Sequence, residues 1–161
     1  MDMAEKFQEG KLMRILIATD GSEFSLAAVE KACDVITKPN ETEIKVVSVF
    51  EALTVATEPF MAAPDYYNEV AKGVEKLAES YVARARTTIE NRLPNTLVTS
   101  EVMMGNPAQT IVENAEKWGA DMIVVGSHGR GFWGRTLLGS VSDAVVHHAG
   151  CSVFVVRSPD K

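Results

Sequence analysis

Five strand signals alternate with helix signals along these 161 residues. That alternation predicts an α/β fold, an open parallel sheet with helices on both faces, because parallel neighbours need right-handed crossovers. The length suits one domain, large enough to bury roughly 70% of the surface its unfolded chain exposes. No internal repeat or low-complexity linker divides the chain. Residues 1–12, rich in charge and Met, read as a loose leader ahead of a domain over 13–158.

Arg14 to Thr19 is a short apolar run ending at Asp20-Gly21-Ser22, so it reads as a buried strand and a tight turn. Ser22 stands where a helix N-cap belongs, and Val29, Ala32, Cys33 and Ile36 then fall at i, i+3, i+4 and i+7 on one face. Pro39 and Asn40 close that helix, and Glu43 to Phe50 is the second strand. From Glu51 to Asn68, Pro59, Pro64 and the lack of a clear period predict a long loop. Val70, Val74, Leu77, Ala78, Tyr81, Ala85, Thr88 and Ile89 then form the stripe of a long helix, ended by Pro94. Leu97 to Met104 is the third strand. Asn106-Pro107 combines an N-cap with proline at the first helical position, and Gly119 gives the stop. Met122 to Gly126 is the fourth strand, Ser140 to Ala149 the last helix and Cys151 to Arg157 the fifth strand. Met103, Met104 and Met122 are read as core side chains.

Composition narrows the function classes. Apolar residues at 46% and charged residues at 24% suit a soluble globular chain. A net charge of −6 argues against broad contact with nucleic acid or an anionic membrane, though not against a phosphate held locally. No apolar run is long enough to span a bilayer, and no signal peptide is visible. Cys33 and Cys151 form no CxxC pair, which predicts reduced thiols and the cytoplasm. His147 and His148 are adjacent, so they point to different sides of a helix and make a poor metal pair. His148 follows Val141, Ala144 and Val145 in helical phase and reads as a packed histidine, so a zinc site is rejected.

The chemistry concentrates in Gly126-Ser-His-Gly129, followed after nine residues by Gly139-Ser140. Glycines after a strand, then a glycine and a serine directly before a helix, suit a loop whose amides close around phosphates. Gly126 and Gly129 would remove Cβ atoms where backbone approaches a ligand or takes positive φ. Gly139 and Ser140 would present the last helix's unpaired amides and macrodipole, with Ser140 and Ser142 adding hydroxyl donors. A plainer role for Ser140 is a helix cap, with Asp143 three residues on resembling a capping box. Arg130 and Arg135 can neutralise phosphate charge or remain solvated. Asp20 can accept ribose hydroxyl protons, help hold a metal, or simply form an Asp-Gly turn. His128 is assigned no chemistry, and Phe132 and Trp133 stay open between packing, covering a ligand and meeting a partner.

The opening Ile-Leu-Ile-Ala-Thr-Asp-Gly-Ser, the Gly105-Asn-Pro turn, the Ala120-to-Gly129 segment and the closing Cys-Ser-Val-Phe-Val-Val-Arg, in this order, resemble the universal stress protein family. The resemblance runs from Met13 to Arg157 and implies a sheet of order 3-2-1-4-5. Every position of the family's glycine signature is present, which implies the subgroup that binds ATP (or ADP or AMP), with Mg²⁺ or Mn²⁺. It further implies that Asp20 contacts ribose or metal, Val49 lies by the adenine, and Val125 and Gly126 line base and ribose. Gly129, Gly139, Ser140, Val141 and Ser142 would surround the phosphates. Dimerisation through the last strand is implied too, with Val153 to Val156 as the apolar edge. Ser152, where many relatives carry proline, departs from the pattern at that edge.

The expected function is therefore nucleotide binding by a small regulatory protein, a switch or sensor read by a protein partner. The alternatives are a slow ATP-hydrolysing enzyme using the same pocket and an interaction dimer whose pocket is mostly empty. Catalysis is the weaker expectation, because no Gly-x4-Gly-Lys-Ser/Thr motif or kinase motif set occurs.

Overall fold

The computed structural model describes residues 12–51, 64–129 and 138–157. In chain order the elements are β1 (Met13–Ala18), α1 (Glu23–Val35), β2 (Thr42–Phe50), α2 (Pro64–Arg92), β3 (Leu97–Met104), α3 (Pro107–Trp118), β4 (Met122–Gly126), α4 (Ser140–His148) and β5 (Ser152–Val156). The strands form one five-stranded parallel sheet of order β3-β2-β1-β4-β5. Central β1 sets the register, with Ile17 level with Val46 on one side and Val124 on the other.

Period-two alternation divides the core between the two faces of the sheet. Ile15, Ile17, Ile44, Val46, Val98 and Val124 meet Ala28, Val29 and Ala32 of α1 and Val82, Ala85 and Ile89 of α2. Leu16, Val47, Ile123 and Val125 meet Ile111, Val112 and Ala115 of α3 and Val145 of α4. Strands buried on both faces lose the polar-apolar alternation of a half-exposed sheet, which is why they read as continuous apolar runs. Cys33 and Cys151 are free thiols. Burial pushes both thiols up, Arg92 opposing the shift at Cys33 and Asp121 adding to it at Cys151. Neither is poised as a reactive thiolate.

Local chemistry sets the helix ends. Asn106 accepts from the Gln109 amide with Pro107 at the first helical position, and Gly119 closes α3 in the left-handed region at φ 72°. Ser22 caps α1 by accepting from the Ser25 amide. Ser22→Ala should lower stability by about 1 kcal/mol, read from the urea midpoint. An unchanged midpoint would show that the cap contributes nothing.

The structure corrects several expectations. α2 begins at Pro64, so the long loop does not reach Asn68. Pro64 opens the helix, where its missing N–H has no intrahelical partner to lose. Residues 52–63 lie outside the described residues, as do 1–11 of the expected leader. On α2 the stripe holds except at Leu77, which is exposed, and Val82 joins it buried. Met104 is 64% exposed rather than core, at the end of edge strand β3. His148 is exposed, not packed, because it closes the last turn of α4.

The chain steps outward from β1 to β2 and β3, then crosses back to place β4 on the other side of β1. That reversal opens a crevice beyond the carboxyl ends of β1 and β4, where ligands of open α/β sheets sit.

Candidate functional site

Thr19 and Asp20 leave β1 into a turn stitched by short polar side chains. The Asp20 Oδ1 accepts from the Ser22 amide at 3.0 Å and from the Ser22 hydroxyl at 2.6 Å. The Thr19 and Ser25 hydroxyls pair at 3.1 Å, both buried. Gly21 takes φ 76°, and a Cβ there would land on the Tyr81 ring. Glycine is required at 21 on both counts.

On the opposite bank, β4 delivers Gly126, Ser127, His128 and Gly129. The buried Ser127 carbonyl is an anchor: it accepts from the Gly139 amide at 2.7 Å and from the Ser142 hydroxyl at 2.8 Å. These two bonds seat the start of α4 beside β4. Gly139, extended at φ −75° and ψ 163°, is the N-cap and supplies no side-chain cap bond. Ser140 is therefore the first helical residue, not the cap. Asp143 bonds through its amide to the Gly139 carbonyl rather than in a box with Ser140. With a glycine cap, the first-turn amides that have no intrahelical partner open toward the crevice.

Between the two banks lies a cleft of about 420 Å³, within the range of small-molecule sites. Ala18, Val47, Val49, Ile111 and Val125 give it an apolar floor, and Asp20, His128, Gly129 and residues 139–142 form its polar wall.

The universal stress protein family model matches residues 11–157. The chain belongs to the universal stress protein family. It is 34% identical to a universal stress protein of Methanocaldococcus jannaschii over 95% of this chain and 86% of that one. The fold superposes on universal stress protein UspA from Lactobacillus plantarum with a TM-score of 0.77, at 22% identity, covering 91% of this chain and 99% of that one. It also superposes on a family member from Arabidopsis thaliana with AMP bound, with a TM-score of 0.63, at 17% identity, covering 91% and 92%.

In this universal stress protein the fold brings Asp20, Val49, Val125, Gly126, Gly129, Gly139, Ser140, Val141 and Ser142 to one cleft. Arg130, Arg135, Phe132 and Trp133 lie outside the described residues. Three details differ from expectation. Among the described glycines positive φ falls at Gly21, Gly105 and Gly119, not at Gly126 or Gly129. Gly126 is small for the protein's sake: a Cβ there would sit 2.6 Å from the Phe24 carbonyl carbon and 2.8 Å from the Ser25 amide nitrogen. The Ser142 hydroxyl lies within bonding distance of the Ser127 and Gly139 carbonyls, so its proton serves the helix seat rather than the cleft.

Ala18, Thr19, Ser25, Val47, Pro107 and Ile111 also line the cleft, beyond the residues to which the sequence points. The signal for Thr19 and Ser25 was their place just before and just after the Asp20 turn. His128 lines the cleft too, its Nδ1 3.0 Å from the Ser127 hydroxyl and its ring 5.1 Å from that of Phe24. It thereby joins the α1 bank to the α4 bank.

Proposed function

We propose that the cleft binds an adenine nucleotide, ATP foremost, and that occupancy is the signal this protein carries. The observation that carries the reading is the glycine-capped start of α4, opening onto an apolar-floored cleft opposite a carboxylate. The base fits the apolar floor by Val49 and Val125, the ribose hydroxyls donate to Asp20, and the phosphates meet the amides of 140–142 at the positive end of α4. Gly129 leaves room beside Asp20, where a Cβ would stand 2.8 Å from Oδ2. The AMP carried by the structural neighbour from Arabidopsis thaliana agrees with this choice of ligand.

A divalent ion fits only as a companion of the phosphates. Among the described residues no three or more His, Cys, Asp or Glu side chains gather to hold one. Mg²⁺ or Mn²⁺ would take most of its ligands from phosphate and water, with Asp20 as the protein's contribution, and would neutralise phosphate charge. Assembly fits the same reading. β5 is an edge strand whose side chains are taken up on the two sheet faces, leaving its backbone edge to pair with a second copy.

Denaturing freshly purified protein and identifying the released nucleotide by chromatography and mass tests the reading. ATP at one equivalent per chain is expected of a switch. Mostly ADP or AMP would instead favour slow hydrolysis in the same cleft, and a non-adenine nucleotide would overturn the base assignment.

A further inference from the structure

The turn that presents Asp20 is held from two sides. On the cleft side the hydroxyls of Thr19, Ser22 and Ser25 bond its backbone and carboxylate. On the far side the Tyr81 ring lies directly against the Gly21 backbone. Glycine has the widest backbone freedom of any residue, so a turn built on it is narrowed to one geometry by its hydrogen bonds and by whatever packs against it. Tyr81 is that wall.

Tyr81 belongs to α2 and does not line the cleft. It stands where α2 first seats on the sheet: Ala78 and Val82 are buried, whereas 68–77 are exposed or half-buried.

We propose that Tyr81 is a positioning residue for the nucleotide site, fixing Gly21 and through it the Asp20 carboxylate. The inference rests on the cleft being a nucleotide site. Its test is ATP titration by calorimetry into the parent, Tyr81→Ala, Tyr81→Phe, Asp20→Ala and the double variant Asp20→Ala with Tyr81→Ala. Tyr81→Ala should weaken ATP binding about tenfold. Tyr81→Phe, which keeps the ring against Gly21, should bind more tightly than Tyr81→Ala. The double variant should bind no more weakly than Asp20→Ala, because Tyr81 acts through the turn that carries Asp20.

Amide hydrogen exchange on the unliganded proteins separates positioning from a general loss of stability. Tyr81→Ala should speed exchange at Gly21 and Ser22 while leaving β1 amides such as Leu16 unchanged. Uniform acceleration across the sheet would overturn the proposal. So would parent-like ATP affinity in Tyr81→Ala, or a further tenfold loss in the Asp20→Ala background. A parent that binds no ATP would overturn the nucleotide reading and this inference with it; binding by the parent alongside parent-like Tyr81→Ala would overturn this inference alone.

Discussion

Ser140→Asp is expected to abolish the proposed nucleotide binding while leaving the fold at least as stable as the parent. Ser140 is the first residue of α4 and is exposed at the cleft mouth. A carboxylate there is favourable for the helix itself, since negative charge in the first turn complements the macrodipole, by about 0.3–1 kcal/mol. The same charge stands where the proposed phosphates approach. At about 4 Å and an effective dielectric of about 20, one like-charge contact costs about 4 kcal/mol, near a thousandfold in affinity. The two readouts therefore move in opposite directions, which unfolding cannot imitate. Titration calorimetry with ATP and a urea melt check both. Parent-like affinity in Ser140→Asp would mean that the phosphates do not sit at the start of α4.

The second large effect is on stability. Gly126→Ala should cost about 2–3 kcal/mol, because the added Cβ meets α1 backbone rather than a movable side chain. α1 must then lift from β4 at the place where its first turn lines the cleft. Thermal unfolding should fall by about 5–10 °C for a domain of this size. A loss below about 0.5 kcal/mol would show that α1 can shift freely at this point.

The centre of the sheet was legible because β1 and β4 are buried on both faces. Ile15, Leu16 and Ile17 all point into core, alternately toward the two helix layers, and so read as one apolar run. The start and stop of α3 were equally legible, since Asn106-Pro107 and Gly119 each have one local meaning. Pro64 was not, because proline marks loops and helix starts alike, and only the packing of the residues after it decides. Met104 and His148 were misread for a shared reason: each continues a period beyond the point where its neighbours still provide cover. At the site, the glycine pattern located the cleft but not the reason for each glycine. Gly126 answers to Phe24 and Ser25, a contact between residues about a hundred positions apart that no local spacing can register. The cap of α4 was misplaced by one residue because serine is the better N-cap by preference. The Gly139 amide, bonded to Ser127, holds that position instead.

The cleft as an adenine nucleotide site is the central claim, and ATP titrated into nucleotide-stripped protein tests it most directly. Saturable binding of one nucleotide per chain is expected, competed by AMP and lost in Ser140→Asp. No saturable binding up to about 1 mM ATP, where even a weak site of about −4 kcal/mol is half filled, would contradict it.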